Sequence, residues 1–173
     1  MATSLKTDII QIPVWYVYNV KMVCGVQPIK ISESCVSDPA PNTGGGILSR
    51  GIYSTEVNIF NYNEHVAAKI LKYYVPLVRE NKPIGFEPNE QQAKKIAEIV
   101  LKPNCATADD CCGIEKLLRV KNILNIGFLK IVSSADLSVT AVYTAADLET
   151  NNVVSIDVEV INAKIIHYAP SAD

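Results

Sequence analysis

Apolar and polar residues alternate along the segment Val153–Val160, and this alternation is the strongest constraint on the fold of the chain. One side of an extended backbone would carry Val154, Ile156, Val158 and Val160. The other side would carry Ser155, Asp157 and Glu159. A period of two is typical of a strand with one face in water. The C-terminal part of the chain is therefore predicted to be sheet.

Other segments share the β-branched and aromatic composition of strands. They are residues 13–24, 51–61, 66–78, 126–134 and 137–144. Turn-forming residues at 62–65 predict a hairpin between the second and third of these segments. Similar turn chemistry around Asp136 and at 147–152 predicts a three-stranded meander at the C-terminal end.

Residues 108–119 predict one short helix. Thr107 is placed to cap it, with Asp110 three residues further on, as in a capping box. The stripe expected to face the sheet comprises Cys111, Ile114, Leu117 and Leu118. Two stretches rich in Pro, Gly or Ser predict long loops, at 32–50 and at 80–92, and the second is expected to end in a helical turn at 93–96.

These elements predict a mainly β fold, an antiparallel, Greek-key-like β-sandwich with one short α-helix near 108–119 and two long loops. We expect one domain over 1–173, with an N-terminal strand segment at 1–24. Asp8, Gln11 and Pro13 interrupt the pattern of a signal peptide, so the first residues are interpreted as mature protein.

Charge and hydropathy narrow the choice of partners. The chain has 16 Lys and Arg against 18 Asp and Glu, and its basic residues form no patch interleaved with aromatics. Nucleic acid is therefore not an expected partner. No stretch approaches the ~18 consecutive apolar residues of a membrane-spanning helix, so no membrane span is expected.

The number of cysteines helps to predict the cellular compartment of the protein. Their number is five, and they are Cys24, Cys35, Cys105, Cys111 and Cys112. An odd number favours a reducing compartment, so we expect a cytoplasmic protein. The alternative is an extracellular or cell-surface protein. A disulfide between Cys24 and Cys35, which flank a segment that could close into a hairpin, stays open at this point.

No catalytic, cofactor or metal site is predicted. The cluster of Cys105, Asp109, Asp110, Cys111 and Cys112 lacks the C-x-x-C spacing of structural zinc sites. We expect these cysteines to be small buried residues that pack the helix on the sheet. His65 and His167 are expected at the surface, and neither is placed to activate a nucleophile.

Aromatic residues are concentrated in two predicted strands. Trp15, Tyr16 and Tyr18 lie in the first, and Tyr73 and Tyr74 are adjacent in the third. Neighbouring side chains of a strand face opposite sides, so at least one of each adjacent pair must leave the core. Tyr and Trp outside a core are enriched at protein interfaces, which makes these five residues interface candidates. Half-exposed tyrosines on an ordinary sheet are the alternative.

Several segments resemble those of a family of uncharacterised prokaryotic β-rich proteins. They are CGVQ at 24–27, GIYSTEVNIFNYN at 51–63, TADDCC at 107–112, GFLKIVSS at 127–134, LSVTAVYT at 137–144 and SIDVE at 155–159. In general plan the chain is also similar to the sensory rhodopsin transducer proteins. That resemblance, which rests on strand pattern, implies a small β-sandwich oligomer that acts by binding partners. Neither resemblance implies an activity or functional residues.

The expected function is structural. Apolar residues make up 49% and charged residues 20% of the chain, and its mean hydropathy is +0.16. Either the core is large for the chain or other subunits cover apolar surface. We expect a non-enzymatic protein that self-associates into an ordered homo-oligomer or filament, with itself and possibly another protein as partners. The alternative is a soluble adaptor that binds a ligand or a protein with loops at one end of the sandwich.

Overall fold

The structure, a computed structural model, describes residues 13–28, 50–85, 88–120 and 123–167. In these residues the chain forms ten strands and one helix. In chain order they are β1 (Trp15–Gln27), β2 (Gly51–Asn61), β3 (Ala68–Arg79), β4 (Lys82–Pro83), β5 (Lys94–Leu101), β6 (Cys105–Asp110), α1 (Cys111–Leu118), β7 (Asn125–Ser133), β8 (Ser138–Ala146), β9 (Val153–Val160) and β10 (Lys164–Ile166). Most of the expected loop at 32–50, and with it Cys35, lies outside the described residues.

The strands pair antiparallel throughout, in the order β4-β3-β7-β1-β2-β8-β9, with β5 on β3, β6 on β2 and β10 on β1. Two halves of this sheet enclose the core. The first sheet consists of β3, β4, β5, β7, β10 and most of β1. The second consists of β2, β6, β8, β9 and the end of β1. The predicted antiparallel sandwich is thereby confirmed.

Strand β1 belongs to both sheets. Its residues from Tyr16 to Cys24 pair with β7, and its residues from Gly25 to Gln27 pair with β2. Gly25 lies at the change of partner and has a φ of 96°, a conformation that side chains with a Cβ rarely adopt. Glycine at this position lets one strand pass from the first sheet to the second.

The core lies between the two sheets, as the period of two requires. On β1, Tyr18, Val20 and Met22 are buried and alternate with exposed Asn19 and Lys21. The core side chains of the other central strands include Ile70, Leu129 and Ile131 of the first sheet and Val57, Ile59, Val139 and Ala141 of the second. Burying each large aliphatic side chain contributes ~1.5–3 kcal/mol to folding.

Two predicted connections are wrong in their strand pairing. Residues 62–65 do not form a hairpin, because β2 belongs to the second sheet and β3 to the first. In the same way β7 pairs with β1 and β3 rather than with β8, so only the β8–β9 hairpin of the expected meander forms. Turn residues indicate where the chain reverses, but the sheet that the next strand joins depends on distant partners.

The helix begins later than predicted. Asp110 is its N-cap, and its carboxylate accepts a hydrogen bond from the Gly113 backbone N–H at 2.6 Å. Thr107, the predicted cap, lies instead in β6, which pairs with β2. The expected helical turn at 93–96 falls largely in β5. No helix of the described residues is long and apolar enough to cross a bilayer.

The cysteines also differ from expectation. Cys24 of β1 forms a disulfide with Cys111 of α1, so Cys24 is not available to Cys35. Cys105 and Cys112 are exposed thiols rather than buried packing residues. The helix turns Cys111 towards the sheets and Cys112 away from them, since adjacent helical residues diverge by about 100°.

Candidate interaction surface

Strand β9 is an edge strand with eight exposed residues. It pairs with β8 on one side, and no other described residue pairs with it. Its exposed aliphatic side chains are Val154 (66%), Ile156 (64%), Val158 (61%) and Val160 (67%), together with Val153 (56%). Scattered exposed apolar residues are ordinary, but a contiguous set on one strand is a candidate for an interaction surface.

The register between β9 and β8 places these apolar side chains on the outer face of the second sheet. Val158 lies opposite Val142, and Val160 lies opposite Thr140. Directly paired residues point to the same face. Because β8 directs Val139 and Ala141 into the core, Val142 and Thr140 point outward. We call Ile156, Val158 and Val160 the outer row. The expectation of one wet face is therefore corrected, because both faces of β9 are exposed.

The polar residues of β9 lie on the core side of the second sheet. Asp157 is opposite Tyr143, and Glu159 is opposite the buried Ala141. The Tyr143 hydroxyl donates a hydrogen bond to Glu159 Oε2 at 3.0 Å. Burial, and after it this hydrogen bond, raises the pKa of Tyr143 to about 12. We call Asp157 and Glu159 the acidic pair.

The backbone N–H and C=O groups of the outer row face the unpaired side of β9. The Ile161 N–H donates to the Val139 carbonyl at 2.9 Å, so Ile161 is directed towards β8. Residues of an antiparallel strand alternate in the side to which their N–H and C=O groups point. The N–H and C=O groups of Val160, Val158 and Ile156 therefore point away from β8. One of these groups is bound locally, because the Val158 N–H donates to Asp157 Oδ1 at 3.0 Å.

Two of the five aromatic interface candidates are core residues. Tyr18 is 1% exposed and Tyr74 is 2% exposed, since both point between the sheets. The Tyr18 hydroxyl donates to Asp136 Oδ1 at 2.7 Å and accepts from the Leu137 N–H at 2.7 Å. Gly127 makes room for Tyr74, because a Cβ at this glycine would lie 2.5 Å from the tyrosine ring. Neither tyrosine is exposed enough to form part of an interface with a second protein.

The other three candidates are half-buried. Trp15 and Tyr73 pack on a small cluster formed by Val17, Leu71 and Val132. These residues alternate with core residues on their strands, so the cluster lies on the outer face of the first sheet. Tyr16 packs against the edge of the main core. The aromatic surface expected to need a partner is thus partly sheltered within the chain, and it lies across the sandwich from the outer row.

A buried ion pair lies between the two sheets. Lys72 Nζ lies 2.7 Å from Asp109 Oδ2, and their side chains are 5% and 17% exposed. A buried pair of this kind joins β3 to β6. His65 is almost fully exposed and lies 3.7 Å from Glu64. Within the described ranges, no group of three His, Cys, Asp or Glu side chains is arranged to hold a metal ion.

Comparisons with known proteins add little. No family model and no curated protein matches the chain. Among solved structures, the chain is similar to the crystal structure of Thermotoga maritima 1070, with 13% sequence identity and a TM-score of 0.39 over 82% of this chain and 90% of that chain. A likeness this distant supports no functional conclusion. The resemblances drawn from the sequence stay predictions.

Proposed function

We propose that this protein is a non-enzymatic structural protein whose copies associate through the outer face of β8 and β9. The observation that carries the proposal is the outer row, which is apolar, contiguous and uncovered by the described residues. A second copy is the partner that offers a matching apolar surface at equal concentration, because a two-fold axis brings the same patch onto itself.

The energy of such an association is modest. A fully buried Val or Ile side chain contributes ~1.5–3 kcal/mol, so the outer rows of two copies give on the order of 9–18 kcal/mol at most. Association costs ~4–15 kcal/mol in lost translational and rotational freedom. The outer row is already about one third buried in the single chain. Nearly complete coverage, with Val142 included, is therefore required for a stable pair.

The acidic pair favours packing face to face over pairing edge to edge. In an antiparallel pair of two β9 strands, carboxylates of both copies would lie opposite or close to one another. Like charges directly opposite across strands are destabilising. Charged residues that point inward on an edge strand are a known device against strand addition. Face packing leaves the acidic pair in water and buries only the outer row.

A filament requires a second surface. The candidate for this second surface is the outer face of the first sheet, where Trp15 and Tyr73 lie. Contacts through both outer faces in turn would stack copies without closing the assembly. Contact through β9 alone would give a closed pair. These are the two forms, oligomer and filament, that the sequence leads us to expect.

The test compares lysine substitutions on the two sides of β9. Val158→Lys places a charge in the centre of the outer row, and Ser155→Lys places the same charge on the opposite side of the strand as a matched control. We expect the unaltered protein and S155K to be oligomeric by light scattering at micromolar concentration, and V158K to be monomeric with an unchanged circular dichroism spectrum. A monomeric unaltered protein, or an oligomeric V158K, would overturn the proposal.

The compartment belongs to the same proposal. The odd number of cysteines favours the cytoplasm, whereas the Cys24–Cys111 disulfide favours an oxidising environment. We keep the cytoplasm as the first expectation and the extracellular or cell-surface location as the alternative. A free-thiol assay of the purified protein under non-reducing conditions, which reports whether Cys24 and Cys111 are oxidised, tests the two.

A further inference from the structure

A cavity lies beside α1, away from the outer row. It has a volume of about 240 Å³, is open to solvent, and is lined by residues of β3, β5, β7 and the end of α1. Tyr74 and Asn125 line it together with Leu117 and Leu118 of the helix. Arg79 and Lys94, both of them exposed, are the two basic residues of its lining. We propose that this cavity binds a small organic anion with an apolar body, such as a one-ring aryl carboxylate.

The two cations are the first argument for an anion. Within the described residues, ion pairs involve Arg50, His65, Lys69, Lys72 and Lys95. Neither Arg79 nor Lys94 takes part in one. Two unpaired cations at one concave site attract a carboxylate, and a guanidinium can bind both of its oxygens. Charge complementarity therefore selects the class of ligand.

Two acidic residues lie near the cavity and must be counted: Glu115 of α1, and Glu80, whose backbone N–H donates to Asn125 Oδ1 at 3.0 Å. Glu115 of α1 is close enough to Tyr74 for its charge to raise the tyrosine pKa, although burial is the larger cause. Burial also raises the pKa of Glu115 itself, which makes its neutral form easier to reach. Glu115 does not line the cavity. Neither does Glu80, so Arg79 and Lys94 are the charged residues among the described residues that line the cavity.

The apolar wall and the size are the second argument. Leu117 and Leu118, with Pro76 and Val78 of β3, give the cavity the apolar lining that is usual for small-molecule sites. An apolar cavity of about 150 Å³ is sufficient for benzene. A volume of about 240 Å³ therefore accommodates one ring with a short acidic side chain. Larger ligands would have to extend beyond it.

The experiment uses three probes that share a benzyl group, are similar in size and differ in charge. They are phenylacetate, its neutral amide and phenethylamine, and binding is followed by ligand-observed NMR on the full chain. We expect phenylacetate to bind at millimolar concentration or below, the amide roughly tenfold more weakly and the amine not at all. Equal binding of all three probes, or binding of none, would overturn the proposal.

Substitutions locate the site. Arg79→Gln and Lys94→Gln should each weaken phenylacetate binding roughly tenfold. Lys82→Gln is the matched control, because Lys82 is exposed, lies opposite Arg79 in the β3–β4 hairpin and does not line the cavity. Equal weakening by all three variants would show that phenylacetate is attracted by the overall positive charge of this region, and would overturn the assignment of the binding site to the cavity. The V158K variant should bind phenylacetate unchanged, so failure of the assembly proposal and failure of this one remain distinguishable.

Discussion

Asp136 shows how much one side chain organises in this fold. It accepts hydrogen bonds from the buried Tyr18 through Oδ1 and from the exposed Tyr62 through Oδ2, each at 2.7 Å. Tyr18 belongs to β1, and Tyr62 follows β2 where the chain crosses between the sheets. From the sequence, Asp136 was predictable only as a turn residue. Its tyrosine partners lie more than 70 residues away and become visible only in the folded chain.

Removal of this carboxylate should destabilise the protein measurably. Asp136→Ala removes the nearer of the two acceptors of the buried Tyr18 hydroxyl and leaves only the Leu137 carbonyl at 3.1 Å, which we expect to cost about 1–3 kcal/mol in the free energy of unfolding. Tyr62→Phe is the control, because it removes only the exposed hydrogen bond and should cost less than ~1 kcal/mol. Urea unfolding measures both values. Equal losses in the free energy of unfolding for the two variants would show that the buried hydrogen bond of Tyr18 stabilises the fold no more than the exposed one of Tyr62.

The buried tyrosines predict a loss of stability in alkali. Burial, and after it the charge of Glu115, raises the pKa of Tyr74 to about 12. Burial and then the Asp136 hydrogen bond raise the pKa of Tyr18 further. An unfolded tyrosine deprotonates near pH ~10, so above that pH the unfolded state binds fewer protons than the folded state and unfolding becomes easier. The stability that the buried neutral forms of Tyr18 and Tyr74 contribute is therefore fully present below pH ~10 and declines above it.

Ultraviolet absorbance of tyrosinate and circular dichroism measure this effect together. We expect the exposed tyrosines to titrate first, and the buried ones only as the fold is lost. Tyr74→Phe should reduce the dependence of stability on pH above ~10, whereas Tyr62→Phe should change it less. Complete titration of all tyrosines near pH ~10 with the fold intact would contradict the burial of Tyr18 and Tyr74.

At the scale of elements, local composition predicted strands but not their neighbours. β5 reads KKIAEIVL, in which Lys, Ala, Glu and Leu favour helix by propensity, and it is a strand because β3 offers a partner. In the same way, the alternation in β9 predicted the strand and its two sides. It could not predict that the apolar side faces away from the core, since that direction is set by the register with β8.

The acidic pair should control how β9 associates. In the double variant Asp157→Asn, Glu159→Gln, the charges that oppose pairing of two β9 edges are gone. We expect this variant to form larger assemblies than the unaltered protein, as measured by light scattering and electron microscopy. The double variant Glu64→Gln, Glu90→Gln has the same net charge and alters exposed residues outside β9, so it should assemble like the unaltered protein. Identical size distributions for all three proteins would contradict a role for the acidic pair.

At the scale of the whole molecule, the two sheets are joined by three different kinds of contact. β1 contributes residues to both, the Lys72–Asp109 pair spans the core, and the Cys24–Cys111 disulfide ties β1 to α1. Composition predicted a single domain with a substantial core. The ion pair and the disulfide could not be predicted from spacing, because each joins residues that are distant in sequence and become close only when the sandwich forms.

The disulfide should account for a measurable part of the stability. It closes a sequence separation of 87 residues, and a cross-link of this kind contributes ~2–4 kcal/mol by restricting the unfolded chain. We expect dithiothreitol to lower the urea midpoint of the unaltered protein and of the control variant Cys105→Ser, Cys112→Ser. The double variant Cys24→Ala, Cys111→Ala should unfold at the lower midpoint with or without reductant. If reductant leaves the midpoint of the unaltered protein unchanged, the disulfide contributes nothing measurable to stability, and the extracellular or cell-surface alternative loses its support.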